Sequence, residues 1–229
     1  MTDTAYLPII RLRPNAAARA IRFGFPWVYD NELVMDRRSR KIEAGTLGIL
    51  QDAERNELGL VAINPNSKIV ARVLDNNINA TINADWFRDK FQRALDMRAH
   101  LFDRPFYRLI HAESDGLPGV IIDRFNDYFV VQPNSAWADR LLDVMVDALV
   151  DVTGAHVVIK NASSRTRGLE GLDDVSRALY GDMPNAPIQV PMNGAIYMAD
   201  LAGGQKTGLF FDQRSNHAFA AGLSKGARV

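Results

Sequence analysis

Cysteine is absent from the 229-residue chain, so these residues hold no disulfide framework, no thiolate metal site and no cysteine nucleophile. Net charge is absent too: 27 Lys and Arg balance 27 Asp and Glu, which removes any global case for a polyanion partner while leaving room for a local basic face. Long apolar runs are missing; Gly119–Ile122 and Tyr128–Val131 fall far short of the roughly 18 residues that a membrane span needs. The first residues place Asp3, Arg11 and Arg13 around a very short apolar run, which is not a secretory pattern, and a cytoplasmic protein is expected. There is no internal repeat, no low-complexity tract and no Gly-x-Gly-x-x-Gly dinucleotide loop. His100, His111, His156 and His217 are scattered without metal-ligand spacing, so no metal site is expected. What remains is an ordinary globular composition, 47% hydrophobic and 24% charged.

The charge is unevenly distributed. Residues 1–50 carry eight cations (Arg11, Arg13, Arg19, Arg22, Arg37, Arg38, Arg40 and Lys41) against five acids (Asp3, Asp30, Glu32, Asp36 and Glu43). Such a segment is either an electrostatic footprint for nucleic acid or a solvated arginine-rich surface.

Five short apolar runs, Leu7–Leu12, Trp27–Tyr29, Gly45–Leu50, Glu57–Ile63 and Ile69–Leu74, are separated by turn signals and predict a small β-barrel or sandwich. Pro14–Arg22 reads as a short helix capped by Asn15, and Trp27 as barrel core. The asparagine-rich stretch Asp75–Asn83 predicts a linker. Asp85–Phe102 has helical periodicity with Asp85 as its cap. Beyond Pro105 the expected order is strands Phe106–Ala112, Gly119–Asp123 and Tyr128–Gln132, helix Ser135–Val152 stopped by Gly154, then strand His156–Lys160. A polar loop follows over Asn161–Gly171, and strands Ile188–Pro191 and Ala195–Leu201 are joined by the hairpin signal Asn193-Gly194. This is an α+β pattern.

The most unusual segment is Gly203-Gly204-Gln205-Lys206-Thr207-Gly208-Leu209-Phe210-Phe211-Asp212-Gln213-Arg214, leading into a helical Ser215–Ala221. It is not a P-loop, because Gln205 separates the glycines from Lys206. Its glycines permit close backbone approach, Lys206 and Arg214 can pair with carboxylate or phosphate, and Phe210 and Phe211 offer flat faces. The alternative is a glycine-rich connection into a helix capped by Asp212. Elsewhere, His111, Glu113 and Asp115 form either an acid–base cluster or a tight turn beside Gly116. Lys160, Arg165 and Arg167 either contact RNA phosphates or line a solvated loop, and His217 reads as a surface residue.

The run Gln205–Arg214 resembles the hallmark of bacterial ribosomal-RNA large-subunit methyltransferases that use S-adenosylmethionine, whose best-known members make 5-methylcytosine. Phe25-Pro26-Trp27-Val28-Tyr29 resembles the family's PUA-domain signature, and His111–Arg124 the segment opening its central domain. The resemblance implies a mixed α/β and α+β architecture: a PUA-like β-barrel at 1–78, a linker helix at 79–104, a central α+β domain at 105–190 and the entry of a Rossmann-like methyltransferase domain at 191–229. It implies donor-pocket roles for Lys206, Thr207, Gly208, Phe210, Asp212, Gln213 and Arg214, with Lys206 or Arg214 taking the donor carboxylate. Ribosomal RNA is the implied partner, contacted by Arg11, Arg13, Arg22, Lys160, Arg165 and Arg167, and a homodimer is compatible with the resemblance. The family's next strand, its glycine-rich loop and the catalytic cysteine of its cytosine-C5 members are not in the 229 residues, so a front portion without catalytic residues and without activity of its own is expected. A stand-alone RNA-binding module is the rival expectation, separated from the first by whether the reading frame continues past Val229. A PUA-bearing enzyme acting on tRNA is a third.

Overall fold

A computed structural model describes residues 7–203 and 207–228. Alternating and fully apolar runs in the first third form β1 (Ile9–Arg11), β2 (Trp27–Tyr29), β3 (Thr46–Gln51), β4 (Glu57–Ile63) and β5 (Ile69–Asp75), in the order β1-β3-β4-β5-β2. Only the β1–β3 pair is parallel. The two edge strands meet through a Leu12–Leu33 bridge, with Arg13 N donating to Glu32 O and Val34 N to Arg11 O, which closes the sheet into a barrel. Ile10, Leu12, Val28, Leu33, Leu50, Val61 and Ile63 fill its interior.

Strand β4 is buried on both faces. Val61 and Ile63 point into the barrel, whereas Leu60 and Ala62 join Leu74 in a second core with Phe87, Phe91 and Trp137. The barrel is therefore joined to the rest of the chain by apolar packing as well as by the 76–83 linker. Helix α1 (Ala18–Arg22) is shorter than expected, and Asn15 does not cap it: Ala16 N instead donates to Arg13 O in a turn. Helix α2 (Ala84–Ala99) starts one residue before the sequence suggests, because Asn83 is the cap and accepts from Trp86 N at 3.0 Å. Asp85 lies in the first turn, paired with Arg88.

The second sheet contains β6 (Phe106–His111), β7 (Val120–Phe125), β8 (Tyr128–Pro133), β9 (Val157–Lys160) and β10 (Arg177–Tyr180), in the order β10-β9-β8-β7-β6. Its parallel β8–β9 pair is bridged by α3 (Ala136–Arg140) and α4 (Leu142–Thr153). These replace the single expected helix, which breaks at Leu141 (φ −101°, ψ 16°), while Gly154 ends α4 in the left-handed conformation as expected. Strand β10 was not foreseen, and neither was the short helix α5 (Arg165–Leu169) inside the expected polar loop.

Helices α2 and α4 cover one face of this sheet. The other face receives a hairpin, β11 (Ile188–Met192) and β12 (Ala195–Ala199), turned at Asn193 (φ 54°) and Gly194 (φ 75°) as the dipeptide predicts. Val190, Met192, Ala199, Leu201 and Phe211 pack there against Phe125, Val130, Val157 and Ile159. The hairpin, which the expected boundary at 190/191 divides, is one piece seated on the central sheet. Helix α6 (Arg214–Leu223) follows. No helix among the described residues is long and apolar enough to cross a membrane.

Candidate functional site

The chain leaves β12 through Asp200, whose Oδ1 accepts from the backbone N–H groups of Ala202 (3.0 Å) and Gly203 (2.9 Å). Gly204, Gln205 and Lys206 lie outside the described residues, so the donor role expected of Lys206 has no geometry here. Thr207 is buried and donates its hydroxyl to Asp123 Oδ2 at 2.5 Å. Asp123 has no exposed surface and accepts from Arg108 Nε (2.8 Å) and Nη2 (3.0 Å). A carboxylate this deep persists only when paired and hydrogen-bonded, and three donors meet that need. Burial alone would lower the pKa of Arg108, but the hydrogen bonds and charge of Asp123, with the charge of Asp212, more than offset it and hold the guanidinium raised. Gly208 follows at φ +103°, where a Cβ would stand 2.8 Å from Asp200 O. Phe211 is buried against Phe125, with ring centroids 5.0 Å apart.

Arg214 opens α6. Its guanidinium lies 4.6 Å from the Phe102 ring centroid and 5.7 Å from that of Phe211, Nη2 donates to Phe106 O, and Nε is buried without a hydrogen-bond partner. Burial lowers its pKa from the ordinary arginine value. Phe102 and Arg214 stand between two cavities. One, of about 520 Å³, faces the hairpin at Pro191–Ile196; the other, of about 280 Å³, is lined by Tyr107, Arg108, His111 and Asp212. The smaller combines cation, acid and aromatic faces, a chemistry suited to a zwitterionic ligand.

Of the seven expected donor-site residues, Asp212 and Arg214 reach this cavity. Thr207 points inward to Asp123, and Gly208 acts through its backbone. Phe210 and Gln213 line neither cavity, and Gln213 Nε2 is bound to Asp212 Oδ2 at 3.3 Å. Asp212 does not cap α6: it lies in a 3-10 turn, Phe211–Gln213, and Gln213 occupies the cap position without a side-chain capping bond. Arg108, Asp123 and Phe102 were missed. Asp123 lies inside the His111–Arg124 motif, which was a usable signal; nothing local marks Arg108 or Phe102.

Several surface expectations change. Arg167 and Lys160 are buried, held by Asp139 (3.0 and 3.2 Å) and Asp173 (3.4 and 3.1 Å), so their charge is spent inside the protein rather than on RNA. Arg165 is exposed at the start of α5. Arg22 pairs with Asp52, Arg13 Nε donates to Leu33 O at 2.8 Å, and Arg11 is half-buried. Asp115 accepts both Nη atoms of Arg98 at 2.7 Å and the His111 N–H at 2.6 Å beside left-handed Gly116, so the 111–116 segment is a structural turn. No metal-holding cluster occurs among the described residues. Trp27 is half-buried rather than core, and its indole N–H leaves the barrel for Glu113 at 2.9 Å. His217 is half-buried, stacked on Tyr197 with centroids 5.9 Å apart.

Residues 10–76 match the family described as PUA-like domain. The chain is 35% identical over 214 residues to ribosomal RNA large subunit methyltransferase I of Aliivibrio fischeri (strain MJ11), covering 92% of this chain and 54% of that protein. It is 34% identical over 223 residues to the protein of that name in Shewanella denitrificans (96% and 56% covered), and 32% identical over 234 residues to the ribosomal RNA large subunit methyltransferase of Deinococcus radiodurans (97% and 56%). A Streptococcus mutans structure, described as a candidate SAM-dependent methyltransferase, superposes with TM-score 0.77 at 20% identity, over 93% of this chain and 54% of that one. A candidate methyltransferase solved with SAH gives TM-score 0.74, also at 20% identity, over 92% and 52%. These two structures establish a shared fold. The chain thus carries an N-terminal PUA-like domain in a mixed α/β fold and spans about half the length of the curated relatives it matches.

Proposed function

We propose that this chain is the RNA-recognition portion, and the entrance to the methyl-donor site, of an S-adenosylmethionine-dependent methyltransferase acting on large-subunit ribosomal RNA. The domain division behind this is a PUA-like barrel at 1–78, a linker helix at 79–104, a central domain at 105–190 and a methyltransferase entry segment from 191. The carrying observation is that 34–35% identity to proteins named as ribosomal RNA large subunit methyltransferase I holds over more than nine-tenths of the chain. The geometry supports it: the string is locked to the central sheet through Thr207 and Asp123 and brings Asp212 and Arg214 to one cavity.

The residues fit the amino-acid end of such a donor. Arg214 has a buried Nε without a hydrogen-bond partner, and Asp212 brings a carboxylate to the same cavity. When bound, the donor supplies an electrophilic methyl group on a sulfonium. The chain's own part is to orient the donor's carboxylate and amine through Arg214 and Asp212 while Phe102 and Phe211 exclude water. Methylation at cytosine C5 would need a cysteine nucleophile, which these 229 residues do not contain, so they do not by themselves supply that route.

The rival reading, a non-catalytic RNA-binding module, is favoured by one observation: Thr207 is spent on a structural bond rather than on open space. Both readings need RNA. The test is binding of a labelled large-subunit rRNA transcript to the 229-residue chain at low salt, with methyl transfer from labelled donor assayed in parallel. Binding without transfer is expected; no binding sinks both readings, and transfer refutes the inactive fragment.

A further inference from the structure

The barrel carries a cavity of about 400 Å³, floored by the core residues Val70 and Met35, that the string does not reach. Three cations line it, Arg13, Arg40 and Lys68, against a single acid, Asp30. Asn31 and Asn66 add amide groups to the same wall. We propose that this cavity is a phosphate clamp that grips the sugar–phosphate backbone of a structured RNA through Arg13, Arg40 and Lys68, which reach it from three separate segments of the barrel. It rests on the reading of the chain as an rRNA-binding protein and locates where that binding occurs.

Both turns are built before any ligand arrives. Asp36 Oδ1 accepts from Arg38 N (2.8 Å), Ser39 N (2.7 Å) and Ser39 Oγ (2.8 Å), and Ser39 is buried beneath them. The carboxylate is therefore spent on shaping the turn, and the turn exposes Arg37, Arg38, Arg40 and Lys41 in a stretch of five residues. Hydrogen bonds from Ser39 hold the Asp36 carboxyl below the usual carboxylate range. The 64–68 turn is fixed from the end of α5: Asn64 Nδ2 and Ser67 Oγ donate to Glu170 at 2.9 and 2.8 Å, and Asn66 N to Asn64 Oδ1 at 3.1 Å. Lys68 rides on that anchored loop and is itself exposed. Arg13 is positioned by its Nε bond to Leu33 O.

Preformed, concave and cationic, with the amides of Asn31 and Asn66 beside Met35, Pro65 and Val70, the site matches backbone recognition rather than base reading. Surface arginines that are paired, such as Arg22 with Asp52, are outside it.

The test is fluorescence anisotropy with a labelled large-subunit rRNA transcript across a salt series. Arg40→Ala/Lys68→Ala is compared with Arg177→Ala/Lys225→Ala, which removes the same charge from exposed positions elsewhere. The clamp variant is expected to lose about tenfold or more in affinity and to flatten the log K against log salt slope by roughly 1.5, the two lost phosphate contacts; the control keeps the parent slope. Circular dichroism and thermal melts confirm that both variants fold. If the parent binds RNA and the two variants behave alike, the clamp is wrong while the rRNA-binding reading stands. If the folded parent binds no RNA, that reading fails and the clamp with it.

Discussion

Thr207 donates its hydroxyl to Asp123 at 2.5 Å across 84 positions of sequence, and Arg108 grips the same carboxylate from the neighbouring strand. This three-residue lock seats the segment from Thr207 to Arg214 on the central sheet. Replacing Thr207 with Val keeps the shape but withdraws one donor from a fully buried carboxylate, a loss of about 1–3 kcal/mol. Thr207→Ser, which keeps the hydroxyl, should recover most of it. Urea unfolding of the three proteins checks the order. Asp123→Ala should cost more, about 3–5 kcal/mol, because Arg108 is left without its counter-charge.

Gly208 and Gly194 separate backbone strain from steric clash. Both have positive φ, but a Cβ at Gly194 meets nothing within 4 Å, whereas at Gly208 it would stand 2.8 Å from Asp200 O. Gly194→Ala should therefore cost only the left-handed penalty, about 1 kcal/mol. Gly208→Ala adds a backbone collision and should cost about 2–4 kcal/mol, or shift the string off the sheet. Paired thermal melts decide this, with hydrogen exchange at Thr207 and Phe211 reporting any displacement.

What was legible depended on how local its cause is. Trp27–Tyr29 and Glu57–Ile63 were readable to the residue because breakers bracket them, and the Asn193-Gly194 turn because its two left-handed residues favour that dipeptide. Strand β10 was not readable: Arg177–Tyr180 is a short, exposed edge whose pairing to β9 slips between Ala178 and Tyr180. Lys160 and Arg167 looked like loop cations because no periodicity reveals that Asp139 folds over to meet them. The string itself was readable as unusual. Its partners Arg108 and Phe102 were not, since packing across the sheet brings them there.

Glu170, at the end of α5, ties the barrel to the start of α3. It is buried and accepts from Arg72 (2.7 Å), Ser67 (2.8 Å), Asn64 (2.9 Å) and Ala136 N (3.3 Å). Glu170→Ala should cost about 3–5 kcal/mol, since Arg72 is left buried and unpaired. Limited proteolysis should then cut the 64–68 loop, which is protected in the parent.

Asp173 carries a pH signature. Hydrogen bonds from Lys160, then from Val175 N, lower its pKa below the ordinary carboxylate value. A depressed folded pKa contributes stability that is complete above the unfolded value, 3.8, and is lost as pH falls through the lower folded one. Half of the Asp173 side chain is exposed, so solvent screening keeps the contribution under about 1 kcal/mol. Urea titrations between pH 2 and 6 should show Asp173→Asn less stable than the parent at pH 6, with the gap narrowing as the solution becomes acidic.

Arg214 tests whether the two proposed sites are independent. Its guanidinium packs on Phe102, Phe211 and Phe106 O, none of which belongs to the barrel. Arg214→Ala removes one hydrogen bond and two cation–π contacts from a partly buried position, a cost of about 1–3 kcal/mol. The barrel's cationic cavity shares no residue with either cavity beside Arg214. The variant should therefore melt earlier yet bind the rRNA transcript with the parent's affinity and salt slope. A matching fall in RNA affinity, with the fold intact, would instead mean that the RNA path runs across the string, and donor and RNA surfaces would have to be treated as one.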